Sequence, residues 1–589
     1  MGWQYTPPVE DVLFYLEQCT DLIGEESTNQ ITHDLARAIL TEAGRFAADV
    51  LVPINGELDR IGARQENGCV ITSPAHKAAF DAFVKDGWIG LNLDPEWGGQ
   101  GLPSAIYAAA LEFWHTGSLA FAMGNLLTVG AVETIARHGS EEIKETYLPR
   151  LISGEYSATM ALTEPSAGSD LNTIKVKAVP LNDGSYAVSG SKIFISYGDH
   201  DLTENIIHLV LARISGAADG SKGLSLFLVP KKIPTDDGLA TNHVTCVGIE
   251  EKLGLHGSPT CTLQFSDSGM SRGWLIGAPE KGLMAMFTMM NTARMAVATQ
   301  GVAASEWAYQ QSLEFASERK QRHGESPVAA TESGIVGHPD VQNMLLSMRA
   351  LASAGRCIIL ELAEAIDRTH STDCDTAQAQ AKVDLLTPVA KAFCTDSGIQ
   401  SGSLGIQVHG GMGVIEHTGI SQVWRDARVS TIYEGTNGIQ AIDFVCRKLA
   451  ILSAESVNRA VGEFADISHQ LTGSRNALMA DAGRLLSDAV TALTRSLTVL
   501  ADYRVSRRKL ASLSIATSAL RQFALVAGCA YLGKAALATK SGLAPHHRRY
   551  RTDLCFFANA FLSEVTALER VIARGEGILG QLKGDLKLA

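Results

Sequence analysis

The chain has no surplus of positive charge: 50 lysines and arginines stand against 63 aspartates and glutamates, a formal net charge of −13 over 589 residues. Nucleic-acid binding rests on a basic face, so the acidic balance argues against DNA or RNA as the main partner. The ten cysteines include no CxxC pair and no clustering with histidine. This argues against a zinc site or a disulfide framework and predicts reduced, mostly buried thiols of an intracellular protein. The opening MGWQYTPPVEDVLFYLEQ lacks a basic n-region followed by an apolar h-region, and no convincing 20-residue apolar span stands elsewhere. A cytoplasmic protein without a membrane span is expected. No internal repeat is visible.

What is present is the composition of an ordinary globular protein, 46% hydrophobic and 19% charged. A chain of 589 residues exceeds what one core normally organises, so three or four packed units are expected. Residues 1–157 carry helix-spaced apolar positions, as in AIYAAALEFWHTGSLAFAMGNLLTVGAVETIARHG, interrupted by DPEWGGQGLP. Over 158–280 the period changes to short β-rich runs (TIKVKAVP, SYAVSGSKIFIS, NIIHLVLARI, GLSLFLVP, CTLQFSD) separated by turn residues, which predicts an antiparallel sandwich or barrel. Helical period returns over 281–450 in Ala-, Met- and Leu-rich segments suited to a buried bundle, and a helical extension follows over 451–589. The fold class is therefore α+β and multi-domain, ordered α, β, α, extra α.

Chemistry is to be sought where the pattern breaks. In MALTEPSAGSD, Gly168 permits close backbone approach while Thr163 and Ser169 offer donors, a composition that wraps a polar ring edge or a phosphate and also makes a plain loop. In SGSKIFIS, strand alternation puts Phe194 and Ser196 on one side, an apolar wall beside a hydroxyl or simply a half-buried strand. In IQVHGGMGVIEHTG, Gly410, Gly411 and Gly413 make a backbone-dense turn after Gln407 that does not fit a dinucleotide fingerprint, lacking the strand before it and the helix after it. In RVSTIYEGTNGIQ one carboxylate, Glu434, stands between a tyrosine and a glycine. By residue type alone a loop glutamate is usually a solvated surface group. The basic run HHRRYR at 546–551 reads as a solvated helix-end patch.

In order and spacing these segments, together with EKLGLHGSPTCTLQF, FASERKQRHG, HPDVQNMLLSMRA and WRDARVSTIYEGTNGIQ, resemble the acyl-CoA dehydrogenase family of flavoproteins across about residues 30–450. YTPPVEDVLFYL, the LGLHGSPT variant and the long C-terminus are similar to a large-subunit subgroup that includes 3-methylmercaptopropionyl-CoA dehydrogenases, enzymes of dimethylsulfoniopropionate degradation, and relatives acting on fatty acyl-CoAs. The resemblance implies FAD as cofactor, an acyl-CoA substrate, electron-transferring flavoprotein as electron acceptor and a homodimer, the extension covering the edge where a second dimer would pack.

Carried over residue by residue, the resemblance makes Glu434 the base that removes the substrate α-proton. Its backbone N–H and a ribityl hydroxyl polarise the thioester oxygen, and the flavin takes a hydride from the β-carbon. Tyr433 and Gly435 shape the substrate side, with Arg294 and Ser169 toward CoA. Leu162, Thr163, Ser169, Phe194, Ser196 and Thr436 are implied FAD contacts, while Arg319, Gln407 and Gly411 reach the FAD of a neighbouring subunit. Four positions depart from the family pattern: Phe194 stands where tryptophan is usual, Asn291 replaces an acid, Gly438 replaces glutamine and Arg322 replaces phenylalanine. Arg294 on a helix also reads as a surface ion pair, and Met284, Met286, Met289, Met290 and Met295 as core packing before a sulfur-lined pocket. Three readings follow: dehydrogenation of 3-methylmercaptopropionyl-CoA, the same reaction on medium or long fatty acyl-CoAs, and a non-catalytic nucleic-acid-associated flavoprotein that the acidic charge and YEGT disfavour.

Overall fold

The computed structural model describes residues 3–24, 31–321, 334–371, 375–539 and 545–577. They gather into two compact units. The first comprises Met1–Arg45, Pro103–Thr116 and Val297–Ala589, the second Phe46–Leu102 and Gly117–Ala296. The division falls inside the 37-residue helix Gly282–Glu318.

The second unit is built on a sheet. In chain order its strands are β1 (Arg64–Glu66), β2 (Cys69–Ile71), β3 (Tyr156–Ala161), β4 (Lys177–Pro180), β5 (Tyr186–Ser196), β6 (Asn205–Ile214), β7 (Leu224–Pro230), β8 (Lys232–Thr235), β9 (Gly238–Thr241), β10 (Val244–Ile249), β11 (Thr260–Phe265) and β12 (Ser271–Ile276). The main sheet runs β10-β11-β5-β12-β7-β6-β3, and β4 pairs with both β5 and β6. That double pairing closes β4, β5, β12, β7 and β6 into a ring, which removes two exposed edges. The β6 and β7 runs NIIHLVLARI and LSLFLVP are buried almost end to end, because both faces of these strands meet apolar groups. Val188, Val210, Phe227, Val229, Leu263 and Phe265 are all within the core, each contributing about 1.5–3 kcal/mol by leaving water. The sheet is not wholly antiparallel as expected: β3 and β4 each pair parallel with β6. The chain reaches β6 from either neighbour by a connection too long for a hairpin.

The helix Leu119–His138 is long and apolar enough to cross a membrane, a span passed over in the sequence. Fifteen of its residues are buried in the protein, so its apolar surface is spent on packing.

The first unit is a helical bundle centred on Pro339–Thr369 and Thr376–His409. The helix Gly282–Glu318 approaches so closely that a Cβ at Gly301 would lie 2.1 Å from the Cys394 carbonyl oxygen, which only a glycine permits. The extension adds Ala454–Thr472, Ala477–Val505, Ala516–Ala538, Pro545–Phe561 and Ser563–Arg574, and it docks through buried charge. Arg549 Nη1 is 2.8 Å from Asp11 Oδ2 and Nη2 is 3.3 Å from Glu306 Oε2. Tyr550 donates its hydroxyl to the Asp11 carbonyl at 3.0 Å. Asp553 accepts from Arg349 Nε at 2.6 Å and Ser353 Oγ at 2.7 Å, and Arg356 pairs with Glu112 and Glu306. Burial alone would raise the Glu306 carboxyl, yet Arg549 and Arg356 hold it down to about 2. Arg549 and Tyr550 of the basic run are therefore not part of a solvated patch, while Arg548 is exposed as expected. Helical spacing turns Arg549 and Tyr550 inward against Asp11 and Glu306 of two other helices, which no local pattern could show; the side chains of His546 and His547 lie outside the described residues.

Candidate functional site

Glu434 belongs to the first unit. The 3₁₀ turn Arg428–Thr431 ends just before it and the helix Asn437–Ile442 begins just after, capped by Thr436 Oγ1, which accepts from Ile439 N at 3.1 Å. Glu434 has φ +53° and Gly435 φ +82°, two successive left-handed residues that turn the chain sharply and leave the glutamate half-buried. This conformation costs a non-glycine residue about 1–2 kcal/mol, so the surroundings must hold it.

Three side chains do so. Gln440 Nε2 donates to the Glu434 carbonyl at 3.2 Å and to the Gly435 carbonyl at 3.4 Å. Asn437 accepts from the buried Lys391 Nζ at 2.9 Å and donates to Asp396 Oδ1 at 2.8 Å, which fixes the helix start. Tyr433 donates its hydroxyl to Gln300 Oε1, and Gln300 Nε2 lies 3.5 Å from His115 Nε2. His115 Nδ1 is 3.0 Å from Thr299 Oγ1, and burial pushes the imidazole down to about 3, so this chain of groups is neutral at physiological pH. Burial, with the nearby Glu434, likewise raises the Tyr433 phenol and keeps it a donor.

Arg319, Gln407 and Gly411 lie in the same unit, near the ends of the helices Gly282–Glu318 and Thr376–His409. Phe315 stacks on His409 with centroids 4.3 Å apart, joining the ends of two long helices. Arg319 N donates to the Phe315 carbonyl at 2.9 Å, and Gly410, at φ +58°, ends the second helix with its N–H on the Gln407 carbonyl. All three residues are exposed, and Met412, Val414 and Ile415 beside them are large exposed apolar groups. Arg322 lies outside the described residues. A cavity of about 740 Å³ in the first unit, lined by Glu364, Lys382, Glu463, Tyr531 and Lys534, contains none of the expected site residues.

The second unit holds Leu162, Thr163, Ser169, Phe194 and Ser196 of the residues expected at a flavin. Ile193 N donates to the Thr163 carbonyl at 2.9 Å, laying the segment 162–164 along β5 beside Phe194 and Ser196. Lys192 Nζ, fully buried, donates to the Leu162 carbonyl and to Glu164 Oε1, both at 2.8 Å. Glu164 also accepts from the backbone N–H of Lys175 at 2.7 Å and Val176 at 3.1 Å. Burial pulls the Lys192 ammonium down to about 8, against the attraction of Glu164. The expected plain strand is interrupted: the β5–β11 register shifts here, and Phe194 has φ +58° and is 57% exposed. An exposed aromatic held at a strained irregularity of β5 beside the hydroxyl residues Thr163 and Ser196 offers a planar ring with a polar edge both a face and hydrogen-bonding groups, so these residues fit an isoalloxazine. Ser169 is exposed just before the short 3₁₀ turn Leu171–Thr173.

Arg294 is not a surface residue. It is 4% exposed, with Nη1 3.4 Å from Asn291 Oδ1 and its guanidinium 5.9 Å from the Phe287 ring. Met286, Met289 and Met295 are buried while Met284 is 63% exposed. Lys192, Glu164, Gln440 and Gln300 were not singled out in the sequence. A lysine inside the apolar run GSKIFIS and an acid inside ALTEPSAGSD were the available signals for the first two.

Residues 33–155, 159–268 and 280–449 match the N-terminal, middle and C-terminal domains of acyl-CoA dehydrogenases respectively. The chain is 42% identical over 505 residues to the 3-methylmercaptopropionyl-CoA dehydrogenase of Ruegeria pomeroyi, covering 82% of this chain and 85% of that protein. It is 33% identical over 514 residues to a butyryl-CoA dehydrogenase of Syntrophomonas wolfei, covering 84% and 83%. A Bacillus anthracis acyl-CoA dehydrogenase solved with FAD shares the fold at a TM-score of 0.74 and 21% identity, over 94% of this chain and 91% of that one.

Proposed function

The chain belongs to the acyl-CoA dehydrogenase family, and on that premise we propose that it oxidises 3-methylmercaptopropionyl-CoA to the trans-2-enoyl thioester with FAD, Glu434 being the base. The observation that carries this reading is the YEGT turn, in which a half-buried glutamate is held left-handed by Gln440 and backed by the Tyr433–Gln300 pair. A carboxylate on so constrained a backbone has a defined direction, as proton removal from a poorly acidic α-carbon requires. Leu162, Thr163, Ser169, Phe194, Ser196 and Thr436 would hold the FAD, with Arg319, Gln407 and Gly411 reaching the FAD of a second subunit of a homodimer. When bound, FAD supplies the two-electron acceptor for the hydrogen on the β-carbon. Lys192 and Glu164 keep the 162–164 segment on β5, so its backbone groups stay aimed. The Glu434 N–H is the protein's donor to the thioester oxygen, and Arg294, Tyr433, Gly435 and Ser169 orient the acyl-CoA. Electron-transferring flavoprotein is the acceptor of this reading, and the cytoplasm its compartment.

The methylthio substrate follows from the 42% relative, and the butyryl-CoA relative favours straight-chain acyl groups as the competing choice. Anaerobic flavin bleaching with propionyl-, 3-methylmercaptopropionyl-, octanoyl- and palmitoyl-CoA separates them. The fastest bleaching is expected with the methylthio ester, and a maximum at palmitoyl-CoA would refute it. Glu434→Gln should keep its flavin and lose nearly all bleaching; a largely active variant would remove Glu434 as the base.

A further inference from the structure

Glutamate does not adopt the left-handed region freely, and Glu434 is followed by a second left-handed residue. The amide of Gln440 turns back on this turn and takes both carbonyl oxygens, of Glu434 and of Gly435. Gln440 is fully buried, and its Oε1 has no hydrogen-bond partner among the described residues. A buried carboxamide satisfied on one side alone is worse for stability than a leucine or methionine of similar size. Packing therefore does not account for a glutamine here, and the donor side of the amide is what the position uses.

We infer that Gln440 is a positioning residue for the base. Gripping the two carbonyls sets the planes of the 434–435 and 435–436 peptides, and with them the direction in which the Glu434 side chain leaves the backbone. The opposite side of the turn is held separately, by Tyr433 on Gln300. The base is thus clamped from both ends by side-chain amides, and of these Gln440 acts on the backbone of Glu434 itself. Gln440 touches no reacting atom in this role. A small error in the direction of a base is costly, since a displacement of about 1 Å lowers a rate by up to roughly 100-fold.

The inference rests on Glu434 being the base of an acyl-CoA dehydrogenase, and its test separates the two. Rapid-mixing flavin reduction by 3-methylmercaptopropionyl-CoA and butyryl-CoA is followed in the FAD-loaded parent, Gln440→Leu and Gln440→Glu, with FAD content and the Kd of the CoA ester measured alongside. Gln440→Leu, which removes both donors at similar volume, should reduce its flavin roughly 10- to 100-fold more slowly, with FAD content and Kd within about two-fold of the parent. Gln440→Glu supplies a second readout should the leucine variant fold poorly. Its ionised carboxylate faces two carbonyl oxygens, whereas the protonated acid donates to one of them, so its rate relative to the parent should climb as pH falls toward 5. A purely structural role gives no such pH dependence. Equal rates in the parent and Gln440→Leu, or a Gln440→Glu ratio that is flat with pH, would overturn the inference while leaving the dehydrogenase reading intact. A parent whose flavin no acyl-CoA reduces would overturn both.

Discussion

Replacing Arg549 by methionine keeps most of the side-chain volume and removes a charge that is only 20% exposed. The three acids around it lose unequal amounts. Glu306 retains Arg356 at 2.8 Å, and Asp553 retains Arg349 at 2.6 Å and Ser353 at 2.7 Å. Asp11 retains no ion pair among the described residues, having only Arg549 at 2.8 Å. Losing one partner of a buried pair costs about 3–5 kcal/mol. Protonation limits the loss, because neutralising an ordinary carboxyl at pH 7 costs about 4 kcal/mol and burial has already raised that of Asp11. A cost of about 3 kcal/mol is expected, a factor of ~150 in the equilibrium for undocking the extension. Hydrogen exchange of the amides in Pro545–Phe561 reads that equilibrium directly. Adding Asp11→Asn, which removes the orphaned charge, should return a large part of the loss. Were HHRRYR a solvated patch, the change would stay within about 1 kcal/mol, as for exposed pairs, and that result would refute the buried network.

The Glu306 carboxyl is held at about 2, below its ordinary 4.5, so its contribution is complete above pH 4.5 and is lost as pH falls toward 2; exchange protection of Pro545–Phe561 should decline over that window. Lys192 is held at about 8, below its ordinary 10.5, so the unfolded chain binds the extra proton between those values. The unfolding free energy of the parent relative to Lys192→Met should therefore rise from pH 8 to 10, and denaturant melts showing no rise would place Lys192 in contact with water. Gly301→Ala puts a methyl 2.1 Å from the Cys394 carbonyl and should lower stability by about 1–3 kcal/mol or more, seen as a lower melting temperature; an unchanged one would mean that the helices separate freely.

Much of the architecture was readable from local pattern. The change from helical to alternating period picked out β4, β5, β6, β7 and β11, and the return to helical period marked the bundle and its extension, because burial of one face imposes its repeat on the chain. The acid of YEGT could be singled out by its company of motifs in order, and its neighbour Gly435 by the need for a turn. Other features depend on residues far apart in the chain. Lys192 meets Glu164 across 28 residues, Gln300 meets Tyr433 across 133, and Arg549 meets Asp11 across 538. Periodicity assigns each of these a face but not a partner. It placed Arg549 on a polar surface and left Arg294 open to a surface ion pair, whereas Arg294 is buried and Arg549 is held against Asp11 and Glu306. The amino-acid sequence by itself determined which segments are helix or strand and which short motifs stand apart from them. Only the tertiary structure decided which charges are buried, that the ring of strands closes through β4, and that a left-handed glutamate is held by Gln440, since desolvation and hydrogen-bond geometry exist only once distant segments have packed.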